Sequence, residues 1–98
     1  MGYHEPLEAL KPQTRSLSRA INSLVEELQA IDWYQQRIDT VEDEELRELL
    51  AHNRDEEKEH AALLIEWLRR HDGEFAAELR DYLFKEGSLT ALEERATQ

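Results

Sequence analysis

Apolar side chains recur at helical spacing along the second half of the chain. With Leu46 as origin and an advance of about 100° per residue, Leu50, Asn53, Glu57, His60, Ala61, Leu64, Trp67 and Leu68 fall within about 60° of one line. The pattern predicts a long helix ending near His71. Glu57 and His60 lie inside its apolar stripe, whereas Arg54, Asp55, Lys58 and Glu59 are read as pointing into solvent. An ionised carboxylate facing a core is costly unless it is paired or coordinates a metal.

A first stripe, Leu17, Ile21, Leu24, Leu28 and Ile31, predicts a helix from about Pro12 to Asp39, with proline in the first turn, where its missing N–H is not needed. Thr40-x-x-Asp43 resembles a capping box, and Asp43-Glu44-Glu45 gives the next helix an acidic first turn. At about 1.5 Å per residue each long helix approaches 40 Å, and so short a turn makes them antiparallel neighbours. Asp72-Gly73 is read as the stop of the second helix, with Gly73 its C-terminal glycine. Phe75, Leu79, Tyr82 and Leu83 mark a shorter third helix halting at Gly87. The expected organisation is an N-terminal arm over 1–11, a helical hairpin domain with its short third helix over 12–87, and a tail over 88–98 forming one more fraying turn.

Composition changes this picture only slightly. The 98 residues make one small all-α domain whose core is short of the size at which one chain is comfortable alone. Charged residues are 36% of the sequence and the net charge is −11, which excludes a nucleic-acid footprint and favours solubility or the attraction of cations. No cysteine is present, which removes disulfides and thiolate ligands and fits a cytosolic setting. The N-terminus lacks the features of a signal peptide, and Pro6 spoils a myristoylation signal at Gly2. The longest uncharged apolar run, Ala61 to Ile65, is too short to span a bilayer. His4, in the arm, is read as solvated.

The chemistry concentrates on two helix faces. Glu57 and His60, three apart, can reach one ion. Glu27 lies about 60° from the centre of the first stripe, together with Tyr34 two turns later, while Glu26 is nearly opposite and faces out. Trp33 lies on another face and is read as an interface anchor. Carboxylate and imidazole without thiolate suit iron, manganese or zinc. Four-helix carboxylate proteins use one Glu from each of two helices and Glu-x-x-His from each of the other two, so one Glu27 and one Glu57-x-x-His60 are half of a two-metal set. A two-fold dimer would complete both the ligands and a four-helix bundle. Two further readings stand beside a metal enzyme: a non-catalytic oligomer bridged by a divalent ion, and a metal-free acidic adaptor.

Three segments carry a family resemblance. Val25-Glu26-Glu27-Leu28 running into Asp32-Trp33-Tyr34-Gln35-Gln36-Arg37, Ala51-His52-Asn53-Arg54-Asp55-Glu56-Glu57-Lys58-Glu59-His60, and Ala77-Glu78-Leu79-Arg80-Asp81-Tyr82-Leu83 resemble the encapsulated ferritins of bacteria, over most of residues 14 to 85. The resemblance implies a ferritin-like bundle completed by homodimerisation and a ferroxidase that oxidises Fe(II) with dioxygen at a di-iron centre, two Fe per dimer. It also implies a ring-like decamer of such dimers, and residence in the bacterial cytoplasm inside an encapsulin shell that stores the iron. By position Glu27, Glu57 and His60 would be iron ligands, with Tyr34 a hydrogen-bond partner behind them. Glu26 and Trp33 would mark an outer site at the entrance, weakened because Gln29 stands where the family offers another glutamate. Members usually end in a short apolar, glycine-containing targeting peptide. This chain ends Glu93-Glu94-Arg95-Ala96-Thr97-Gln98, a departure from that pattern that leaves open whether the peptide is truncated or absent, and the internal Gly87-Ser88-Leu89 is read as a helix stop and restart.

Overall fold

A computed structural model describes residues 2–97; Met1 and Gln98, the ends of the arm and the tail, lie outside the described residues. A short 3-10 turn, Leu7–Ala9, leads into α1 (Pro12–Thr40), α2 (Glu44–His71), α3 (Gly73–Tyr82) and α4 (Leu89–Ala96). The described residues hold no strand. The two long helices pack side by side, α3 packs on α2, and α4 packs on α3 alone.

Each end of the hairpin is tied by a polar side chain to backbone that helix geometry leaves without a partner. At the turn, Arg47 donates from Nε to the carbonyl of Ile38 at 3.3 Å and from Nη2 to that of Val41. At the open end Gln13 Nε2 donates to the carbonyl of His71 at 3.0 Å. The N-terminal turn is held by Arg15, whose Nη2 donates to the carbonyl of Leu7 at 2.6 Å.

Three local expectations are corrected. Thr40 is not the cap of α2: it ends α1, its hydroxyl bonding back to the carbonyls of Gln36 and Arg37, and the cap is Asp43, whose Oδ1 accepts the N–H of Leu46 at 2.9 Å. Gly73 does not terminate α2. It is the first residue of α3, and Asp72 alone forms the joint, its Oδ1 accepting the N–H of Phe75 at 3.0 Å. An aspartate beside a glycine serves as an N-cap as readily as a glycine serves as a stop, and here the cap wins. The tail holds a helix of eight residues, α4, which docks through the buried Leu92. The chain reverses before it at Phe84 (φ 58°) and Gly87 (φ 102°), the latter a left-handed backbone that glycine adopts without strain.

The core is sparse. Only Ala20, Ala61, Leu68, Ala76 and Leu92 are buried among the described residues. The radius of gyration is 17.6 Å, against about 13 Å for a compact chain of 100 residues. Ile21 and Leu28 of α1 and Leu46, Leu49 and Leu63 of α2 remain about half exposed or more. Each stripe is wider than one neighbouring helix can cover, so the hairpin buries one flank and leaves the other bare.

Candidate metal centre

Glu27 comes from the middle of α1, Glu57 and His60 from the middle of α2, where the two long helices face each other. Glu57 and His60, at i and i+3, stand one above the other on the same helix face. One ligand atom from each of the three lies within 4.8 Å of the others. His60 Nδ1 is 3.6 Å from Glu27 Oε2 and 3.5 Å from Glu57 Oε2. The carboxylate side chains are 23% and 24% exposed and the imidazole 49%. The three residues thus form a cup with its carboxylates inward and its imidazole at the open flank.

Oε2 of Glu27 is buried and has no hydrogen-bond partner among the described residues. A carboxylate oxygen so placed loses its water without gaining a donor, a costly arrangement that an ion would relieve. The donor set, two hard oxygens and a borderline nitrogen, fits Fe, Mn or Zn. Three side chains leave any of these ions short of a full coordination shell, and the exposed edge at His60 is where further ligands could approach.

The remaining sequence candidates are placed as follows. Tyr34 is half-buried on α1, with the Arg37 guanidinium 5.7 Å from its ring centroid. Glu26 is exposed and shares a shallow hollow on α1 with Asn22, Val25 and Gln29, while Trp33 is exposed beyond that hollow. Trp33 stands seven residues after Glu26, two turns along the same helix, and neither belongs to the Glu27, Glu57 and His60 group. His4 is exposed in the arm, beside Thr14, Leu17 and Ser18 of α1.

Arg54 corrects the reading of its neighbourhood. Its side chain is 21% exposed and crosses to α1, where Nη1 donates to Gln35 Oε1 at 2.8 Å; Asp55, Lys58 and Glu59 are exposed as expected. The signal was present but weak: Arg54 lies about 80° from Leu46, at the border of the stripe, where a long aliphatic stem can lie along the neighbouring helix. Among the described residues no helix is long and apolar enough to cross a membrane.

The family model described as EncFtn-like matches residues 2–86. The chain is 61% identical over 90 residues to the encapsulated ferritin-like protein of Rhodospirillum rubrum, covering 92% of this chain and 64% of that protein's length. It is 50% identical to a ferritin-like protein of Thermotoga maritima, over 97% of this chain and 83% of that one. It is 37% identical to the encapsulin nanocompartment cargo protein EncC of Myxococcus xanthus, over 88% of this chain and 69% of that one. Among solved structures, protein ne0167 of Nitrosomonas europaea superposes with a TM-score of 0.87 at 55% identity, covering 91% of this chain and 98% of that one. The all-helical hairpin architecture and the family model agree on a ferritin-like helical fold, and the chain belongs to the EncFtn-like family.

Proposed function

We propose that the chain is a ferroxidase, oxidising Fe(II) to Fe(III) with dioxygen at a two-iron site shared by two copies, and that it works as cargo of an encapsulin shell in the bacterial cytoplasm, where the oxidised iron is stored. The observation that carries the reading is the cup itself: two carboxylates and an imidazole within 4.8 Å, one carboxylate oxygen buried without a donor, and an open side at His60. Fe(II) is the substrate here. Each ion gives up one electron to dioxygen, and hard carboxylate oxygens favour the Fe(III) product over the Fe(II) reactant. Glu27, Glu57 and His60 of this chain would hold the metal, and Tyr34 would orient a carboxylate through its hydroxyl.

The bare flank of the hairpin supports a second copy. Ile21, Leu28, Leu46, Leu49 and Leu63 are 42–63% exposed, apolar surface that a second copy would cover, and the half-set of ligands is missing the same partner. A two-fold dimer would supply four carboxylates and two imidazoles around the axis. We further propose Trp33 as an interface anchor and Glu26 as an outer attraction point for cations. Assembly of the dimers into a ring is what the family resemblance implies, and the encapsulin partner is carried over from relatives named as an encapsulated ferritin-like protein and an encapsulin cargo protein. Oxygen uptake on adding Fe(II) in air to the wild type, Glu57→Ala and His60→Ala is the test. Catalysed uptake by the wild type alone is expected. Metal binding without uptake would leave a metal-bridged oligomer, and neither binding nor uptake a metal-free adaptor.

A further inference from the structure

We propose that Arg54 and Gln35 form a register pin between α1 and α2, with Arg54 a positioning residue that sets Glu27 against Glu57 and His60; this rests on the metal reading above. The seam of the hairpin is made of Ala20, Ala61 and Leu68 with half-buried neighbours. Such apolar contacts are non-directional and tolerate sliding. A metal site does not, because ligand distances must hold to about 0.2 Å and a slip of one residue moves a helix by about 1.5 Å. Something directional has to fix the register near the ligands.

Outside the ligands themselves, the described residues offer three polar ties between the long helices. Gln13 to His71 lies fourteen residues from Glu27, about 21 Å along α1, and Arg47 lies ten residues from Glu57, about 15 Å along α2. Arg54 is three residues from Glu57, about 4.5 Å along the axis. Both members of the tie are themselves held. Gln35 Nε2 donates to Asp39 Oδ1 at 3.0 Å, which fixes its amide with the oxygen toward Arg54, and Arg54 Nε donates to Asp55 Oδ1 at 3.1 Å. The chain Asp39, Gln35, Arg54, Asp55 therefore links α1 to α2 within one turn of Glu57 on α2 and about 12 Å, a little over two turns, from Glu27 on α1, nearer the cup than either other tie.

The test uses the full-length chain with Co(II) as probe, read by its d–d absorption and by titration, alongside far-UV circular dichroism at the same temperature. Arg54→Met keeps the stem and removes the donors, Gln35→Leu removes the acceptor, and Gln35→Glu combined with Asp39→Asn keeps an acceptor for Arg54 and a hydrogen bond between positions 35 and 39. Arg54→Met and Gln35→Leu should each weaken Co(II) about tenfold and alter its absorption while helicity stays at the wild-type level, the size typical of partners behind metal ligands. The Arg54→Met, Gln35→Leu double variant should be no worse than either single one, and Gln35→Glu with Asp39→Asn should keep the wild-type spectrum. Wild-type affinity and spectrum in Arg54→Met and Gln35→Leu, or losses that only track lost helicity, would overturn the pin and leave a plain hairpin staple. A wild type that binds no Co(II) would overturn the metal reading and the pin with it.

Discussion

Without metal, the cup should work against folding, and Glu27→Gln measures by how much. Ligand atoms of Glu27 and Glu57 lie within 4.8 Å of each other, on side chains only 23% and 24% exposed. Two unit charges at that separation repel by about 3 kcal/mol in an effective dielectric near 20. Water at the open flank and the nearby imidazole reduce this, so about 1 kcal/mol is the expected net strain. Replacing Glu27 by Gln removes one charge and gives the orphaned position an N–H₂ that can donate to Glu57. For a domain of this size 1 kcal/mol corresponds to about 4–8 °C in Tm. Thermal melts at pH 8 in EDTA should therefore place Glu27→Gln about 5 °C above the wild type. The order reverses with saturating anaerobic Fe(II): the wild type rises through ligand linkage and the variant does not. A variant that melts below the wild type in EDTA, or gains as much from Fe(II), would refute the cup as a strained, metal-seeking site.

Other outcomes follow from the same geometry. Glu66, bonded to Arg69 and Arg70, has its carboxyl held down to about 2 from 4.5, so its contribution to stability is present above about pH 4.5 and fades as pH falls toward 2; acid titration of Glu66→Gln should show a shallower loss over that window. Leu68, 1% exposed, should lose about 2–5 kcal/mol on substitution by Ala, read by denaturant unfolding. Glu26→Ala, altering an exposed carboxylate outside the cup, should leave equilibrium metal stoichiometry intact and slow the uptake rate in stopped-flow mixing, whereas Glu57→Ala should abolish the stoichiometry. Saturating Fe(II) under anaerobic conditions should move the sedimentation boundary toward a dimer-based species, and an unmoved monomer would contradict a site shared by two copies.

Sequence periodicity reads the long helices well because each is an uninterrupted run of some eight turns, and the acidic start at Asp43 marks where the second begins. The placement of Glu57 on the face toward α1 followed from the same count. What periodicity could not resolve was which flank of a wide stripe the neighbouring helix would take. His60 lies in the apolar stripe and is nevertheless half exposed, because α1 covers the side bearing Ala61 and Leu68. Arg54 escapes the periodicity for the related reason that a long side chain at the stripe's border can lie across the seam or leave it, and its partner, Gln35, is far away in sequence. Asp72 and Gly73 each carried two structural meanings, and the choice depended on how closely α3 follows α2. The tail helix was underestimated because its eight residues gain stability from docking Leu92 on α3, which no local pattern reports.

The one-residue joint at Asp72 converts residue count into direction. α2 runs unbroken from His60 to His71, and α3 begins at Gly73, so no loop between the Glu27, Glu57 and His60 cup and the α3–α4 arm is there to absorb an inserted residue. One extra residue after His60 would swing the arm by about 100° and displace it by about 1.5 Å relative to the cup. The bearing of the arm from the ligands is therefore quantised, one helical step at a time. Length variation in this lineage should avoid residues 61–72 and collect in the reversal at 83–88, where the chain already leaves helical geometry and a longer loop changes only where α4 lands.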